Sequence, residues 1–182
     1  MSFLPSLPDA DMKQTLKHEP DIGVPFAQLN QAVMRGEAPF TPGERELIAA
    51  YVSALNACHY CRSEHTAVAE SFGMPAGLLE QLLLDVQAAE VSEALRAALV
   101  YARKLTVSPM HLGQADVDAF FAAGHDERAL YFVVFVTALF TMSNRIVHGL
   151  GLATPGPQGM QEAVARLHSQ GYAGTLRYIL GE

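Results

Sequence analysis

The stretch ELIAAYVSALNACHYCRSEH, residues 46–65, carries more reactive side chains than any other part of this 182-residue chain. It holds the only two cysteines, Cys58 and Cys61, in one C-x-x-C spacing, and it ends at His65. A helical repeat of about 100° per residue places Cys58 and Cys61 about 60° apart and His65 about 40° from Cys61. A dithiol and a neighbouring base are therefore expected to share one helix face.

Asn56 lies just before this dithiol, and asparagine is a favoured N-cap residue. We expect a helix to begin near Ala57, with Cys58 in its first turn. Unpaired N–H groups and the helix dipole favour a thiolate there. The thiol of Cys58 is thus predicted to titrate below the free-cysteine pKa of about 8.5.

Apolar residues at helical spacing continue on both sides of the stretch. Thr41, Pro42 and Glu44 have the signature of a capped helix that runs to about Leu55. Asp126 is expected to cap a long helix through 129–147, where length and the lack of a partner strand outweigh the strand character of YFVVFVT. Further helices are predicted near residues 25–34, 57–72, 75–83, 92–105, 114–123 and 160–169. Residues 1–24 are interpreted as an N-terminal arm and residues 25–182 as one domain.

Charge and composition argue against a nucleic-acid-binding, secreted or membrane-spanning protein. Lys and Arg number 12 against 19 Asp and Glu, a net charge of −7, and no basic cluster is present to bind a nucleic acid. The N-terminus lacks the basic and apolar regions of a signal peptide, so a cytoplasmic protein is expected. The longest apolar run, 129–142, is shorter than the ~20 residues of a membrane span. In the cytoplasm, a C-x-x-C is more often redox-active or metal-binding than a structural disulfide.

The pattern E-x11-C-x-x-C-x3-H, formed by Glu46, Cys58, Cys61 and His65, resembles the AhpD-like alkylhydroperoxidase branch of the carboxymuconolactone decarboxylase family. The segments YARKLTVSP at 101–109 and DVDAFFAAGHDERALYFVVFVTALFTMSNRIVHGLGL at 116–152 are similar to the peroxidase-related proteins of that family. The resemblance implies an all-α fold, a compact AhpD-like helical bundle. It also implies a homo-oligomer, a trimer or a hexamer.

The same resemblance implies a thiol-dependent peroxidase that uses no metal, haem or flavin cofactor. Cys61 would be the peroxidatic cysteine, and Cys58, the more exposed thiol, would resolve the sulfenic acid. Glu46 and His65 would form a proton relay, although the helical wheel alone does not bury Glu46. The helix-end argument conflicts with these roles, since it makes Cys58 the more acidic thiol. The implied partners are a hydroperoxide and a thiol, lipoyl or thioredoxin-like reductant.

Two other functions remain open from the sequence. The lactone decarboxylase branch of the family is one, although its members generally lack the C-x-x-C. A non-catalytic zinc-binding or redox-sensing module is the other. A structural zinc site would need a fourth ligand besides the two cysteines and His65, from Glu46, His59, His111 or His148.

Several polar residues have no assigned role at this stage. Some family members carry a histidine where Tyr60 stands here, so His59 is interpreted as a possible helper only. Asn144, Arg145 and His148 lie on the predicted long helix, where helix packing or a subunit contact is the favoured explanation.

Overall fold

The structure, a computed structural model, describes residues 2–182, and over that range it is all-helical, as predicted. A 3-10 turn spans Pro109–His111. The α-helices are α1 Met12–His18, α2 Pro20–Arg35, α3 Pro42–Leu55, α4 His59–Ser71, α5 Leu78–Leu84, α6 Glu93–Val107, α7 Gln114–Ala122, α8 Glu127–Leu150, α9 Pro157–Gln170 and α10 Ala173–Leu180.

Helix α3 lies at the centre of the bundle. Its start is the predicted capping box: the Thr41 hydroxyl accepts from the Glu44 N–H, and the Glu44 carboxylate accepts from the Thr41 N–H. Residues 45–53 are all buried, so α3 is covered on every side, as a central core helix must be. Helix α4 packs antiparallel along it, and α6 and α8 cover its other sides.

The turn between α3 and α4 differs from the prediction at Asn56. This residue is the C-cap of α3, and it is Cys58 that occupies the N-cap position of α4. Between them Ala57 has a φ of 56°, in the left-handed region that non-glycine residues rarely adopt. The predicted N-cap is wrong because the chain reverses here in three residues, which uses Asn56 to end one helix before the next begins.

The N-terminal region is also helical. Helix α1 begins with a capping box at Asp11, and Leu16 packs in a small cluster with Ala27 and Ile179. Helix α2 begins at Pro20 rather than at Pro25, which lies inside it. The proposed boundary between arm and domain at residue 24 therefore falls within α2.

Helix α8 forms one wall of the core. Asp126 caps it as predicted, and it ends at Gly151, whose φ is 63°. By length and composition it is the one helix within residues 2–182 that could cross a membrane, and 44% of its apolar window is buried inside the protein. Val133, Val136 and Phe140 belong to the same buried cluster as α3, so we interpret α8 as a core helix.

The C-terminal helices complete the bundle on the side of α4. Helix α9 packs on α4, and α10 packs on α1 and α2. A cavity is lined by residues of α1, α2, α4, α8, α9 and α10.

Candidate active site

Both cysteines lie at the start of α4 and are free thiols. Cys58 is fully buried, and Cys61, one turn later, is 3% exposed. The backbone N–H of Cys58 donates to the Ser53 carbonyl at 2.8 Å, which fixes the start of α4 against the end of α3. The expectation that Cys58 is the more exposed thiol is therefore wrong for the single chain.

The two thiols interact directly. A hydrogen bond from Cys61, assisted by the Cys61 backbone N–H and by the charge of His148, lowers the pKa of Cys58 to about 6 despite its burial. The same hydrogen bond and burial raise the pKa of Cys61. The pair thus holds one proton and one negative charge at neutral pH, with the charge mainly on Cys58. This agrees with the acidity predicted for Cys58 from its place at a helix start.

Asn144 on α8 connects the dithiol to the α3–α4 turn. Its side chain is fully buried, donates to the Ser53 hydroxyl at 3.0 Å and accepts from the Asn56 amide at 3.0 Å. Its hydrogen bonding also lowers the pKa values of Cys58 and Cys61. The structure therefore places Asn144 at the site, where the sequence left its role undetermined.

Glu46 and His65 form a buried pair between α3 and α4. Oε2 of Glu46 lies 2.6 Å from Nδ1 of His65, and both side chains are buried. The His65 ring packs edge-on against Phe140, with ring centroids 4.5 Å apart. With Nδ1 held by Glu46, Nε2 is the ring nitrogen left to exchange a proton with the cavity.

Arg35 at the end of α2 completes this buried charge cluster. Its Nη2 lies 2.6 Å from Oε1 of Glu46 and donates to the Leu167 carbonyl at 3.1 Å. Its guanidinium also lies over the rings of Phe72 and Tyr172. The sequence analysis missed Arg35, because a basic residue in the last turn of a helix has the ordinary role of complementing the helix dipole.

The charges in this cluster stabilise one another. Burial alone would raise the pKa of Glu46, but His65 and Arg35 outweigh it and hold that pKa below its usual value. Burial alone would lower the pKa of His65, but the charge and hydrogen bond of Glu46 outweigh it and raise that pKa. Each partner therefore favours the charged form of the other.

A cavity of about 500 Å³ lies above these groups, between α4 and the helices α1, α9 and α10. Cys61 and His65 line its α4 wall together with Tyr60 and Glu64. Its apolar lining is provided by Leu16, Phe26, Phe140, Pro155 and Leu167. The lining also includes polar and charged side chains, among them Asp11, Lys13 and Arg166, so a small organic molecule beside Cys61 and His65 would meet both kinds of surface.

Two polar groups of this cavity have no partner within residues 2–182. The buried hydroxyl of Tyr172 has none, and the carboxyl of Glu64 forms neither an ion pair nor a hydrogen bond. Glu64 is 9% exposed, and its burial raises its pKa although the charges of His65 and Arg166 oppose this. Sequence analysis did not select Glu64, because a glutamate within a helix is most often a solvated surface residue.

Other candidates from the sequence lie apart from these groups. His59 and Arg145 are exposed, and Tyr60, at the position where some family members carry a histidine, accepts a 3.4 Å hydrogen bond from the Met12 N–H. His148 is also exposed and acts on Cys58 through its charge. In the part of the chain that the structure describes, no group of three or more His, Cys, Asp or Glu side chains is placed to hold a metal ion.

Comparisons with known proteins support the family resemblance. Residues 20–104 match the sequence profile of the carboxymuconolactone decarboxylase family. An uncharacterized peroxidase-related protein from Silicibacter sp. TM1040 is 25% identical with a TM-score of 0.74, over 87% of this chain and 78% of that one. No protein of curated function matched the sequence.

Two further solved structures extend the comparison. An alkylhydroperoxidase AhpD core protein from Ralstonia eutropha JMP134, also described as uncharacterized and peroxidase-related, is 27% identical with a TM-score of 0.73, over 82% of this chain and 78% of that one. The debrominase Bmp8, solved with 2,3,4-tribromopyrrole, is 21% identical with a TM-score of 0.70, over 84% of this chain and 81% of that one. The predicted AhpD-like bundle is confirmed, and the debrominase shares the fold.

Proposed function

We propose that this chain, whose residues 20–104 match the carboxymuconolactone decarboxylase family, is a thiol-dependent peroxidase. It reduces hydroperoxides through Cys58 and Cys61. One observation carries this proposal: Cys61 and His65 line the wall of a cavity of about 500 Å³, and Cys58 is buried directly beside Cys61. The peroxidase-related names of two similar structures support the same class of reaction.

The reaction consumes two thiols and one hydroperoxide and yields a disulfide, an alcohol and water. The Cys61 thiolate attacks the proximal oxygen, the O–O bond breaks, and Cys61 becomes a sulfenic acid. The Cys58 thiolate then attacks the Cys61 sulfur, forms the disulfide and expels the hydroxyl oxygen as water. Cys61 has the first role because it is the sulfur that faces the cavity.

The shared proton explains how Cys61 reacts although the pKa of Cys58 is the lower one. In the resting pair Cys61 donates its proton to the Cys58 thiolate. Transfer of that proton to Cys58 leaves the charge on Cys61, and the transfer requires no movement of the backbone. Two interacting thiols titrate as one unit, so the minor form is available for attack at neutral pH.

Glu46 and His65 act as the proton relay. His65 takes the proton that the dithiol loses on forming its monoanion and returns it to a departing oxygen. Glu46 fixes the tautomer of His65 and stabilises its charged form, and His65 and Arg35 together lower the pKa of Glu46. We assign no metal or organic cofactor to this reaction.

The partners follow from the burial of the dithiol. Because both sulfurs are buried, a reductant has to reach them through the cavity. A small thiol or a lipoyl arm meets this requirement more readily than the surface of a folded thioredoxin-like protein. A homo-oligomer and a cytoplasmic location remain part of the proposal.

Free-thiol titration tests the function directly. Reduced wild type, Cys58→Ser and Cys61→Ser are each treated with one equivalent of tert-butyl hydroperoxide, and thiols and sulfenic acid are then counted. We expect wild type to lose both thiols, Cys58→Ser to accumulate a sulfenic acid, and Cys61→Ser to remain unreacted. Thiol loss in Cys61→Ser equal to that of wild type would contradict the roles assigned to the cysteines.

A further inference from the structure

The proposed reaction expels two oxygen atoms, and each needs a proton as it leaves. The first leaves as the alkoxide of the hydroperoxide, and the second as the hydroxide of the sulfenic acid. In an in-line attack the alkoxide departs on the side away from the Cys61 sulfur, into the cavity. His65 returns a single proton, so the cycle lacks a second acid in the cavity.

Glu64 has the position that such an acid requires. It lies one helical turn after Cys61 on α4, and both side chains line the same cavity. The residue is 9% exposed, and no hydrogen bond or ion pair joins its carboxyl to another of residues 2–182, so the carboxyl is free to meet a molecule in the cavity. The charged groups that face it are His65 on the same helix, Arg166 on α9, Glu46 on α3 and Asp11 before α1. Burial outweighs the cations among them and raises the pKa of the Glu64 carboxyl, which favours the protonated form that an acid needs.

We propose that Glu64 is a second catalytic acid, which donates its proton to the departing alkoxide of an organic hydroperoxide. This inference rests on the peroxidase function proposed above. As the Cys61 thiolate attacks, the S–O bond forms, the O–O bond breaks, and the carboxyl proton of Glu64 moves to the alkoxide oxygen. The products of this step are an alcohol, the Cys61 sulfenic acid and the Glu64 carboxylate.

The second step returns Glu64 to its protonated form. The Cys58 thiol gives up its proton, which the Glu64 carboxylate takes up, and the resulting thiolate attacks the Cys61 sulfur. The departing hydroxide takes the proton held on His65 and leaves as water. The step ends with a disulfide, a protonated Glu64 and a neutral His65, so the two thiol protons account for one alcohol and one water.

This role also specifies the substrate class. Alkoxides are strongly basic leaving groups and gain most from a nearby acid. The apolar part of the cavity lining, which includes Leu16, Phe26 and Phe140, suits an aliphatic or aromatic body on the hydroperoxide. We therefore assign alkyl hydroperoxides as the class for which Glu64 matters.

The role of Glu64 as an acid can be tested with two oxidants whose leaving groups differ in basicity. Glu64→Gln keeps the shape of the side chain and removes its proton, and Glu70→Gln on the exposed side of α4 is the matched control. Single-turnover thiol loss is measured with tert-butyl hydroperoxide, which expels an alkoxide, and with peracetic acid, which expels acetate. We expect Glu64→Gln to lower the first rate about 10²-fold and to change the second less than about threefold. Glu70→Gln should match wild type with both oxidants.

The remaining outcomes separate the two proposals. Equal losses with both oxidants would mean that Glu64 is structural, and no loss with either would mean that it is uninvolved; both results overturn the inference and leave the peroxidase function intact. A wild type that reacts with neither oxidant would overturn the peroxidase function and the inference with it.

Discussion

The Glu46 carboxylate and the His65 imidazole lie 2.6 Å apart across the α3–α4 interface, with both side chains buried. Arg35 reaches the other carboxylate oxygen from α2, also at 2.6 Å. One side chain of the central helix thus joins three helices and sets the protonation state of the histidine in the cavity wall. Stability and reactivity should therefore depend on the same contacts.

The Glu46–His65 pair gives a defined pH dependence of stability. The folded pKa of His65 is raised above its usual 6.5, so its contribution is complete below that value and is lost as pH rises through the folded pKa. The folded pKa of Glu46 is lowered below its usual 4.5, so its contribution is complete above that value and is lost as pH falls through the folded pKa. The stability difference between wild type and His65→Gln should therefore peak between these two values. Urea unfolding of both proteins across the pH range measures this, and a difference independent of pH would contradict it.

Substitution of Arg35 should show how much its ion pair with the buried Glu46 carboxylate contributes to the free energy of unfolding. Arg35→Met leaves the buried Glu46 carboxylate with His65 as its remaining charged partner and is expected to cost about 3 kcal/mol. Adding Glu46→Gln removes that charge, so the double variant should be more stable than the sum of the single changes predicts. Arg128→Met is the control, because Arg128 pairs with an exposed Glu37 and should cost less than about 1 kcal/mol. Strict additivity in urea unfolding would show that Arg35 and Glu46 are not coupled.

The pKa of Cys58 should depend on the hydrogen bond that it accepts from Cys61. Thiolate absorbance at 240 nm should rise in wild type with a midpoint at a pKa of about 6. Cys61→Ala removes the donor and should shift the Cys58 midpoint upward, whereas Cys61→Ser keeps a hydroxyl donor and should shift it less. A midpoint that stays the same in Cys61→Ala would mean that the helix start alone lowers the pKa of Cys58.

Much of this site was predictable because its members share one short stretch of sequence. The C-x-x-C and His65 lie on one helix, and local spacing therefore predicts their common face. Glu46 is on the neighbouring helix, and its burial came from the family resemblance, since a wheel for α3 assumes one polar side. That assumption fails here because α3 is buried on all sides.

The residues that the sequence did not assign come from elements distant in the chain. Arg35, Asn144 and Tyr172 reach the site from α2, α8 and the start of α10, and no local pattern marks them. Glu64 sits inside the motif, but its place in the cavity wall depends on helices from both ends of the chain, which local spacing does not show. The fold was easier to predict, since capping signals and helical periodicity are local properties of each helix.

Substitutions at Asn144 and at its neighbour Arg145 on α8 form a test variant and its matched control. Asn144→Ala leaves the buried Ser53 hydroxyl without its partner and the half-buried Asn56 amide with only its 3.5 Å contact to Thr141, which should cost about 1–3 kcal/mol. It should also raise the pKa of Cys58, because one of the hydrogen bonds to the thiolate is lost. Arg145→Ala changes an exposed side chain and should stay within about 0.5 kcal/mol of wild type. Equal effects of the two changes on unfolding and thiol titration would contradict the role given to Asn144.

Substitution of Ala57 tests whether the backbone of the turn before Cys58 is strained. Its φ of 56° costs an L-residue about 1–2 kcal/mol, and glycine adopts this conformation freely. Ala57→Gly should therefore leave the free energy of unfolding unchanged or raise it by up to about 1 kcal/mol, the strain relief being opposed by the greater freedom of the unfolded chain. Ala54→Gly, inside the last turn of α3, should instead lower it by about 1 kcal/mol. Urea unfolding of the two variants measures the contrast. If both glycines destabilise equally, the left-handed turn is not strained, and another feature must hold Cys58 at the start of α4.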